Sequence, residues 1–234
     1  MNTRGYGQFC PVAKASEVVA ERWTPLVLRE MLMGGVRFND IHRGVPLMST
    51  SLLSRRLKEL QWAGLVERRE LDDGGGHGYY LTDAGEALRP IIIALGEWGH
   101  QFVRSNFERQ DLDPSLLMWD IRRKINVQHL PASMVVIRFD FTGETGARRS
   151  WWLLKEEDAT EIDLCLEDPG YDVDLTITAD LRALTRVWLG DLDMDVAIRT
   201  GAITLAGSSA LRLGFRDWFS LSTFAHIKPA GSSV

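Results

Sequence analysis

Four residues on one face of a predicted helix have side chains suited to binding DNA. In the stretch STSLLSRRLKELQWAG they follow the spacing i, i+3, i+4 and i+7, and they are Ser51, Ser54, Arg55 and Lys58. Arginine can donate two hydrogen bonds to a guanine edge or a phosphate, and short hydroxyl side chains let a helix approach closely. Arg56 lies on the flank of this face. These residue types suit a helix in a major groove, but an ordinary solvated face has the same appearance.

The elements around this helix predict how it is held. Leu53, Leu57 and Leu60 form an apolar stripe on its opposite side, which predicts a buried face. Three shorter helices are predicted before it, in PVAKASEVVAERW, TPLVLREML and RFNDIHRGV. Two strands, LVERREL and YYLT, follow it and are joined by the glycine-rich turn DDGGGHG. Helices followed by such a hairpin are typical of a winged helix-turn-helix domain.

The hairpin also carries basic side chains. Arg68, Arg69 and His77 could reach a phosphate or a minor groove from the wing. A hairpin tip without any partner is the alternative.

Residues 9–102 resemble the HxlR-type winged helix-turn-helix regulators, which are relatives of the MarR group. The resemblance is carried by CPVAKASEVVAERWTPLVLREML, RFNDIHRGV, STSLLSRRLKELQWAGLVERR and YYLTDAGEALRPIIIALGEW, in this order. It implies a transcription regulator, usually dimeric and by expectation a repressor, with double-stranded DNA as its partner. By motif position it assigns the recognition helix to Ser49, Thr50, Ser51, Ser54 and Arg55.

The segment from Thr82 to Phe107 fits the expectation of a homodimer. Its apolar residues recur at steps of three and four, as in a helix packing seam. They are Leu88, Ile91, Leu95, Trp98 and Phe102. A twofold dimer would space its recognition helices by about one DNA turn and predicts an inverted-repeat operator. The stripe could instead fold onto the core of its own chain.

Cys10 lies just before a predicted helix, where the helix dipole favours the thiolate. Some members of the resembled family use a cysteine at this position to sense oxidants or electrophiles. A buried packing residue is the alternative interpretation. Only one other cysteine, Cys165, is present, so neither a disulfide framework nor a zinc site of paired cysteines is predicted.

Charge separates the two halves of the chain. A hydrophobic content of 45% is enough for a buried core, and 234 residues are enough for two modest domains. Residues 1–110 carry 14 Lys and Arg against 13 Asp and Glu, whereas residues 111–234 carry 13 against 19. We therefore predict a DNA-binding domain over 1–110, including the dimerisation helix, and an acidic second domain over 111–234. Because the chain shows neither a long apolar run nor an apolar N-terminal centre, we expect a cytoplasmic protein without a membrane partner.

The second half has the pattern of an α+β domain. After one helix, four strands are predicted in SMVVIRFDF, RRSWWLLK, TEIDLCLE and YDVDLTIT, followed by the helix DLRALTRVWLGD and a helix pair around Gly201 and Gly207. This order predicts an antiparallel sheet with helices on one face. The run RRSWWLLK is apolar on both faces, so either the outer face is covered or a cavity lies there.

Residues 115–225 resemble the sterol carrier protein-type lipid-binding domain, chiefly in ADLRALTRVWLGDLDMDVAIRTGAITLAGSSALRLGF. The resemblance implies a fold that can hold a hydrophobic ligand between sheet and helices. Aromatic residues that could line such a site are Trp151, Trp152, Trp188, Phe215 and Trp218. The same residues would also suit an ordinary core.

No catalytic constellation is visible in the sequence. There is neither a Gly-x-Ser-x-Gly elbow nor a phosphate-loop lysine, and the five histidines do not reach metal-ligand spacing. We therefore predict no enzyme activity, no cofactor and no metal. The sequence favours a regulator whose second domain senses an apolar small molecule. A thiol-based sensor using Cys10 and a lipid-binding carrier protein are the alternatives.

Overall fold

A computed structural model describes residues 5–72, 74–103, 108–228 and 230. The chain forms two compact units, Met1–Gly96 and Glu97–Val234. Within the described residues, no helix is both long and apolar enough to cross a membrane. The boundary between the units falls inside a helix, so the functional division after residue 110 stays a prediction.

Among the described residues, four helices precede the hairpin of the first unit, as the sequence predicts. They are α1 (Pro11–Val19), α2 (Thr24–Leu32), α3 (Phe38–Arg43) and α4 (Thr50–Trp62). Proline occupies the first turn of both α1 and α2, where its missing N–H breaks no helical hydrogen bond. Ser49 caps α4, because its hydroxyl oxygen accepts the backbone N–H of Leu52 at 3.3 Å.

The predicted hairpin follows α4 directly. Strands β1 (Val66–Glu70) and β2 (His77–Leu81) pair antiparallel, with Val66 opposite Leu81 and Glu70 opposite His77. Gly64, at a φ of 72°, makes the turn from α4 into β1 that few other residues could adopt. The order of helices and hairpin is that of a winged helix-turn-helix.

The leucine stripe of α4 lies in the core of the first unit, as predicted. Leu53, Leu57 and Leu60 are fully buried and belong to one cluster with Val27 and Leu28 of α2. Because this stripe faces inward, the opposite side of α4 faces solvent.

The single helix predicted from Thr82 is interrupted. It divides into α5 (Asp83–Glu86), α6 (Arg89–Trp98) and a π-helical turn over Gly99–Val103. Pro90 cannot continue the hydrogen bonds of a preceding helix, so it takes the second position of α6, where its N–H would have no partner. Residues 104–107, at the end of that predicted helix, lie outside the described residues.

The second unit combines one sheet with several helices. Its strands are β3 (Val135–Thr142), β4 (Ser150–Lys155), β5 (Asp163–Cys165), β6 (Leu175–Asp180) and β7 (Ile203–Gly207). Its helices are α7 (Pro114–Lys124), α8 (Leu181–Trp188), α9 (Met194–Arg199), α10 (Ser209–Leu213) and α11 (Phe215–Trp218).

The prediction of a purely antiparallel sheet is wrong. The strand order is β5-β4-β3-β6-β7, and β3 and β6 run parallel, with Ile137 opposite Leu175. The chain leaves the sheet at edge strand β5 and re-enters it on the far side of β3. Such a return over two intervening strands allows the parallel direction, which a tight hairpin would forbid.

Helices α9 and α10 lie on either side of Gly201 and Gly207, but the prediction of a helix pair missed strand β7 between them. Strand β7 pairs antiparallel with β6, with Ile203 opposite Ala179 and Gly207 opposite Leu175. A short apolar run is ambiguous between helix and strand, and here pairing with the sheet edge decides. Gly207 has a φ of 126°, and a Cβ on it would lie 2.3 Å from the carbonyl oxygen of Asp174.

One face of the sheet forms the core of the second unit. Phe139 and Phe141 of β3 are buried in one cluster with Leu117 of α7 and Leu184 of α8. Both faces of β4 are covered, as its sequence indicates, since Trp151 and Trp152 are each more than nine-tenths buried.

Candidate nucleic-acid interface

The exposed face of α4 presents the predicted hydroxyl and basic side chains together. Ser51, Arg55 and Lys58 are exposed, and Ser54 beside them is half-buried. The side chain of Arg55 keeps 61% of its surface accessible and lies 3.8 Å, Nε to Oε1, from Glu59. A pair this open to solvent leaves the guanidinium available to another acceptor.

The N-terminus of α4 lies at the end of this face. Ser49 and Ser51 hydroxyl oxygens are 3.2 Å apart, and Thr50 is the exposed first residue of the helix. Since the Ser49 hydroxyl is used as the cap, its structural role is to start the helix. The free backbone N–H groups of a helix start favour a phosphate.

Contacts between α2, α3 and the segment before α4 hold the helix-turn-helix angle. His42 Nε2 lies 2.8 Å from the carbonyl oxygen of Met48, just before α4. Arg29 Nη2 donates to the carbonyl oxygen of Gly44 at 2.9 Å and to Glu30 Oε1 at 2.6 Å. Sequence reasoning missed this arrangement, because Arg29 and Glu30 look like an ordinary surface pair, whereas Glu30 is almost fully buried.

The two wing arginines have different surroundings. Arg69 lies over the ring of Tyr80, 4.1 Å from its centroid, and its Nε is 3.1 Å from Glu67 Oε1. Arg68 is exposed and paired in register with Tyr79, so it points to the other side of the strand. His77 is exposed at the start of β2.

Arg56, predicted on the flank of the exposed face, is instead buried. Its Nη1 donates to Glu59 Oε2 at 2.6 Å, and its Nη2 lies 3.4 Å from Glu21 Oε2. Position 56 lies between the leucine stripe and the exposed stripe, so helical periodicity does not decide whether its side chain is buried.

A cleft of about 410 Å³ separates α1 from α4. Glu17, Val18 and Glu21 line one side, and residues of α4 including Lys58 line the other. The Lys14 ammonium, which donates to Glu17, and the backbone N–H of Tyr6 lower the pKa of Glu17. The cleft is therefore bordered by ionised groups of both signs.

The apolar stripe of α6 is largely open to solvent. Leu88 is half-buried, and the remaining four residues each expose between 51% and 57% of their surface. These four are Ile91, Leu95, Trp98 and Phe102. Ile92, which the stripe omits, is the α6 residue buried in the core of the first unit.

Cys10 occupies the N-cap position of α1 and is half-buried. Its side chain makes no capping hydrogen bond. The structure therefore places the thiol at a helix start, as the sequence indicates.

Three of the five candidate ligand-lining aromatics meet in the second unit. Phe215 and Trp218 have ring centroids 5.0 Å apart, and both contact Phe219, which also meets Trp188 at 6.3 Å. Trp151 belongs to the same buried core. Trp152 faces the other side of the sheet, beside the guanidinium of Arg138 at 5.6 Å.

The helices, wing and exposed basic face of the first unit define a winged helix-turn-helix domain of the DNA-binding type. A family model described as "HxlR-like helix-turn-helix" matches residues 18–107. This chain belongs to that family of transcription regulators.

Individual relatives match stretches of similar length. The uncharacterized HTH-type transcriptional regulator YvaP of Bacillus subtilis is 34% identical over 102 residues, which are 43% of this chain and 94% of YvaP. The HTH-type transcriptional regulator YodB of the same organism is 33% identical over 95 residues, 40% of this chain and 85% of YodB. A solved structure of the redox regulator HypR in its reduced form is 31% identical, covers 38% of this chain and 90% of HypR, and has a TM-score of 0.36.

Proposed function

We propose that this protein is a homodimeric transcription repressor that binds an inverted-repeat operator and responds to an apolar small molecule. The observation that carries the DNA part is the exposed face of α4, where short hydroxyls and two cations lie opposite the buried leucine stripe. Family membership supports the same function.

The contacts to DNA divide into base readout and phosphate binding. Arg55 is long enough to reach a guanine edge, and Lys58 is suited to a phosphate as a point charge. From the wing, Arg68 can bind phosphate directly, whereas Arg69 would first have to leave Glu67. The residues proposed to lie in the major groove are Ser49, Thr50, Ser51, Ser54 and Arg55. Those proposed to contact the DNA backbone are Lys58, Arg68, Arg69 and His77.

A second copy of the chain is the proposed partner of α6. Four large apolar side chains spaced along one helix face are costly to leave in water, and a twofold partner would cover them with the same stripe. The stripe comprises Leu88, Ile91, Leu95, Trp98 and Phe102. This pairing would set the distance between the two copies of α4.

The second unit is proposed to be a sensor of the sterol carrier protein type. The resemblance of residues 115–225 to that domain supports this proposal. The aromatic side chains of Trp188, Phe215 and Trp218 are buried between sheet and helices, so an apolar ligand would have to displace part of their mutual packing. Trp151 lies in the same core, whereas Trp152, on the opposite face of the sheet, would not line this site. The ligand can change DNA binding if it has different affinities for two geometries of the dimer.

Two other functions make different predictions. In a thiol-based sensor, Cys10 at the start of α1 would respond to oxidant, and Cys10→Ser would abolish that response while leaving ligand effects intact. In a lipid-binding carrier, lipid would accompany the purified protein, and Arg55→Ala would leave DNA binding unchanged.

Selection of sites from a random duplex DNA library tests the main proposal. We expect the full chain to enrich an inverted repeat, and fluorescence anisotropy should show one dimer per site. Failure to enrich any sequence would refute the DNA part. Native mass spectrometry of the purified protein then tests the sensor: an apolar molecule that is bound and shifts operator affinity supports it, whereas ligands that leave this affinity unchanged refute it.

A further inference from the structure

We infer that Arg56 is a positioning residue for the recognition helix, and that it acts by holding a carboxylate away from Arg55. This inference rests on the proposed DNA-binding function of α4. It separates two adjacent arginines that look equivalent in the sequence.

The two arginines differ in exposure. The Arg56 side chain is 8% exposed, compared with 61% for Arg55. A guanidinium this buried cannot reach a phosphate while α4 keeps its packing. Its role in DNA binding must therefore be indirect.

Arg56 joins α4 to the turn between α1 and α2. In addition to Glu59 on its own helix, its Nη2 reaches Glu21 Oε2 at 3.4 Å and the carbonyl oxygen of Arg22 at 3.3 Å. The next residue, Trp23, has a φ of 76°, an uncommon conformation for a side chain of this size. The contact thus links α4 to a backbone segment of restricted geometry, and it fixes the rotation of the helix about its axis.

The same contact decides which arginine Glu59 neutralises. Glu59 Oε2 is 2.6 Å from Arg56 Nη1, whereas Glu59 Oε1 is 3.8 Å from Arg55 Nε. Arg56 can form this short contact at i, i+3, so the carboxylate is drawn toward the buried side. Without Arg56, Glu59 could form a closer i, i+4 pair with Arg55 and would compete with DNA for it.

Stability alone does not account for an arginine at this position. The buried Nε of Arg56 has no hydrogen-bond partner among the described residues, and burying a charge carries a desolvation cost. Glu21 and Glu59 are each about two-fifths exposed, so water can solvate them when Arg56 is replaced. We therefore expect Arg56→Met to fold.

Equilibrium binding of full-length variants to the selected operator tests the inference. We expect Arg56→Met to weaken binding by about tenfold, similar to losing one hydrogen bond to a charged group. The dependence of affinity on salt should stay that of the unchanged protein, because no phosphate contact is lost. As the matched control, Lys58→Ala should reduce the slope of log K against log salt concentration by about 0.9.

A second variant examines the competition for Glu59. Adding Glu59→Gln to Arg56→Met removes the carboxylate that would pair with Arg55, so we expect most of the lost affinity to return. Arg56→Lys should bind with intermediate affinity, because one ammonium cannot reproduce the forked contacts.

Three results would overturn the inference while leaving DNA binding by α4 intact. They are unchanged affinity in Arg56→Met, a salt slope reduced as in Lys58→Ala, and no recovery with Glu59→Gln. Should Arg56→Met fail to fold by circular dichroism, Arg56→Lys supplies the same comparison of affinity and salt slope. Absence of any operator for the unchanged protein would instead refute the proposed function itself.

Discussion

The hydroxyl of Thr82 joins the end of α4 to the start of α5. Its Oγ1 donates to the carbonyl oxygen of Gly64 at 2.7 Å and accepts the backbone N–H of Gly85 at 3.2 Å. One side chain thus caps α5 and satisfies a carbonyl just beyond α4.

Replacing Thr82 with Ala should therefore loosen both helices. We expect the free energy of local opening around α5 to fall by about 1 to 2 kcal/mol, the usual cost of losing an N-cap and a second hydrogen bond. Hydrogen exchange with mass spectrometry of the full chain measures this locally. Thr160→Ala, at an exposed position of the second unit, is the control and should leave exchange unchanged.

Arg55 and Lys58 should contribute to DNA binding in different ways. Loss of a base contact in Arg55→Ala should cost about 1 to 3 kcal/mol and relax sequence preference at one position, whereas Lys58→Ala should weaken all sequences alike. Anisotropy with operator and single-substituted duplexes distinguishes the two. Arg212→Ala, on the exposed side of α10, removes the same charge and should have no effect. Equal sequence preference in Arg55→Ala and the unchanged protein would contradict base readout.

Leu95 provides the test of the dimer. Placing a carboxylate in the middle of the stripe with Leu95→Glu should convert the dimer to a monomer, because burying an unpaired charge is strongly unfavourable. Light scattering after size-exclusion chromatography reports the mass directly. Leu213→Glu is a matched control, since Leu213 is also exposed but lies on α10. A dimer that survives Leu95→Glu places the interface elsewhere.

Gly207 and Gly170 separate backbone strain from steric overlap in the second unit. Both have positive φ, but a Cβ on Gly207 would lie 2.3 Å from the Asp174 carbonyl oxygen, whereas one on Gly170 would meet nothing within 4 Å. Gly170→Ala should cost about 1 to 2 kcal/mol from conformation alone. Gly207→Ala should cost more, because β7 must also move away from β6. Urea unfolding of both variants compares these costs, and equal values would show that the strand edge adapts.

Local sequence signals were sufficient to predict the four helices and the hairpin up to residue 81. The stripe of Leu53, Leu57 and Leu60 identified α4 and its buried side. Gly64 marked the end of α4, and the glycines around residue 74 marked the turn of the hairpin. These features depend on residues only a few positions apart, so local sequence patterns are enough to predict them.

Features that depend on distant parts of the chain were not predictable in this way. The parallel pairing of β3 with β6 depends on the path taken after β5, and β7 exists because the edge of β6 is available to it. Arg56 was misplaced because its burial follows from Glu21 and Arg22, more than thirty residues earlier. A single sequence shows neither relationship.

The parallel pair of strands has a consequence for folding kinetics. Val136 and Asp174, whose contact starts that pair, are 38 residues apart, whereas the hairpin of the wing closes between Glu70 and His77. Because long loops must be ordered before such contacts form, we expect the sheet to form more slowly than the wing. Pulse-labelling hydrogen exchange during refolding tests this order. Simultaneous protection of the backbone amides of the sheet and of the wing would contradict it. In a growing chain, the DNA-reading module would then be complete while the sheet still lacked its central pairing.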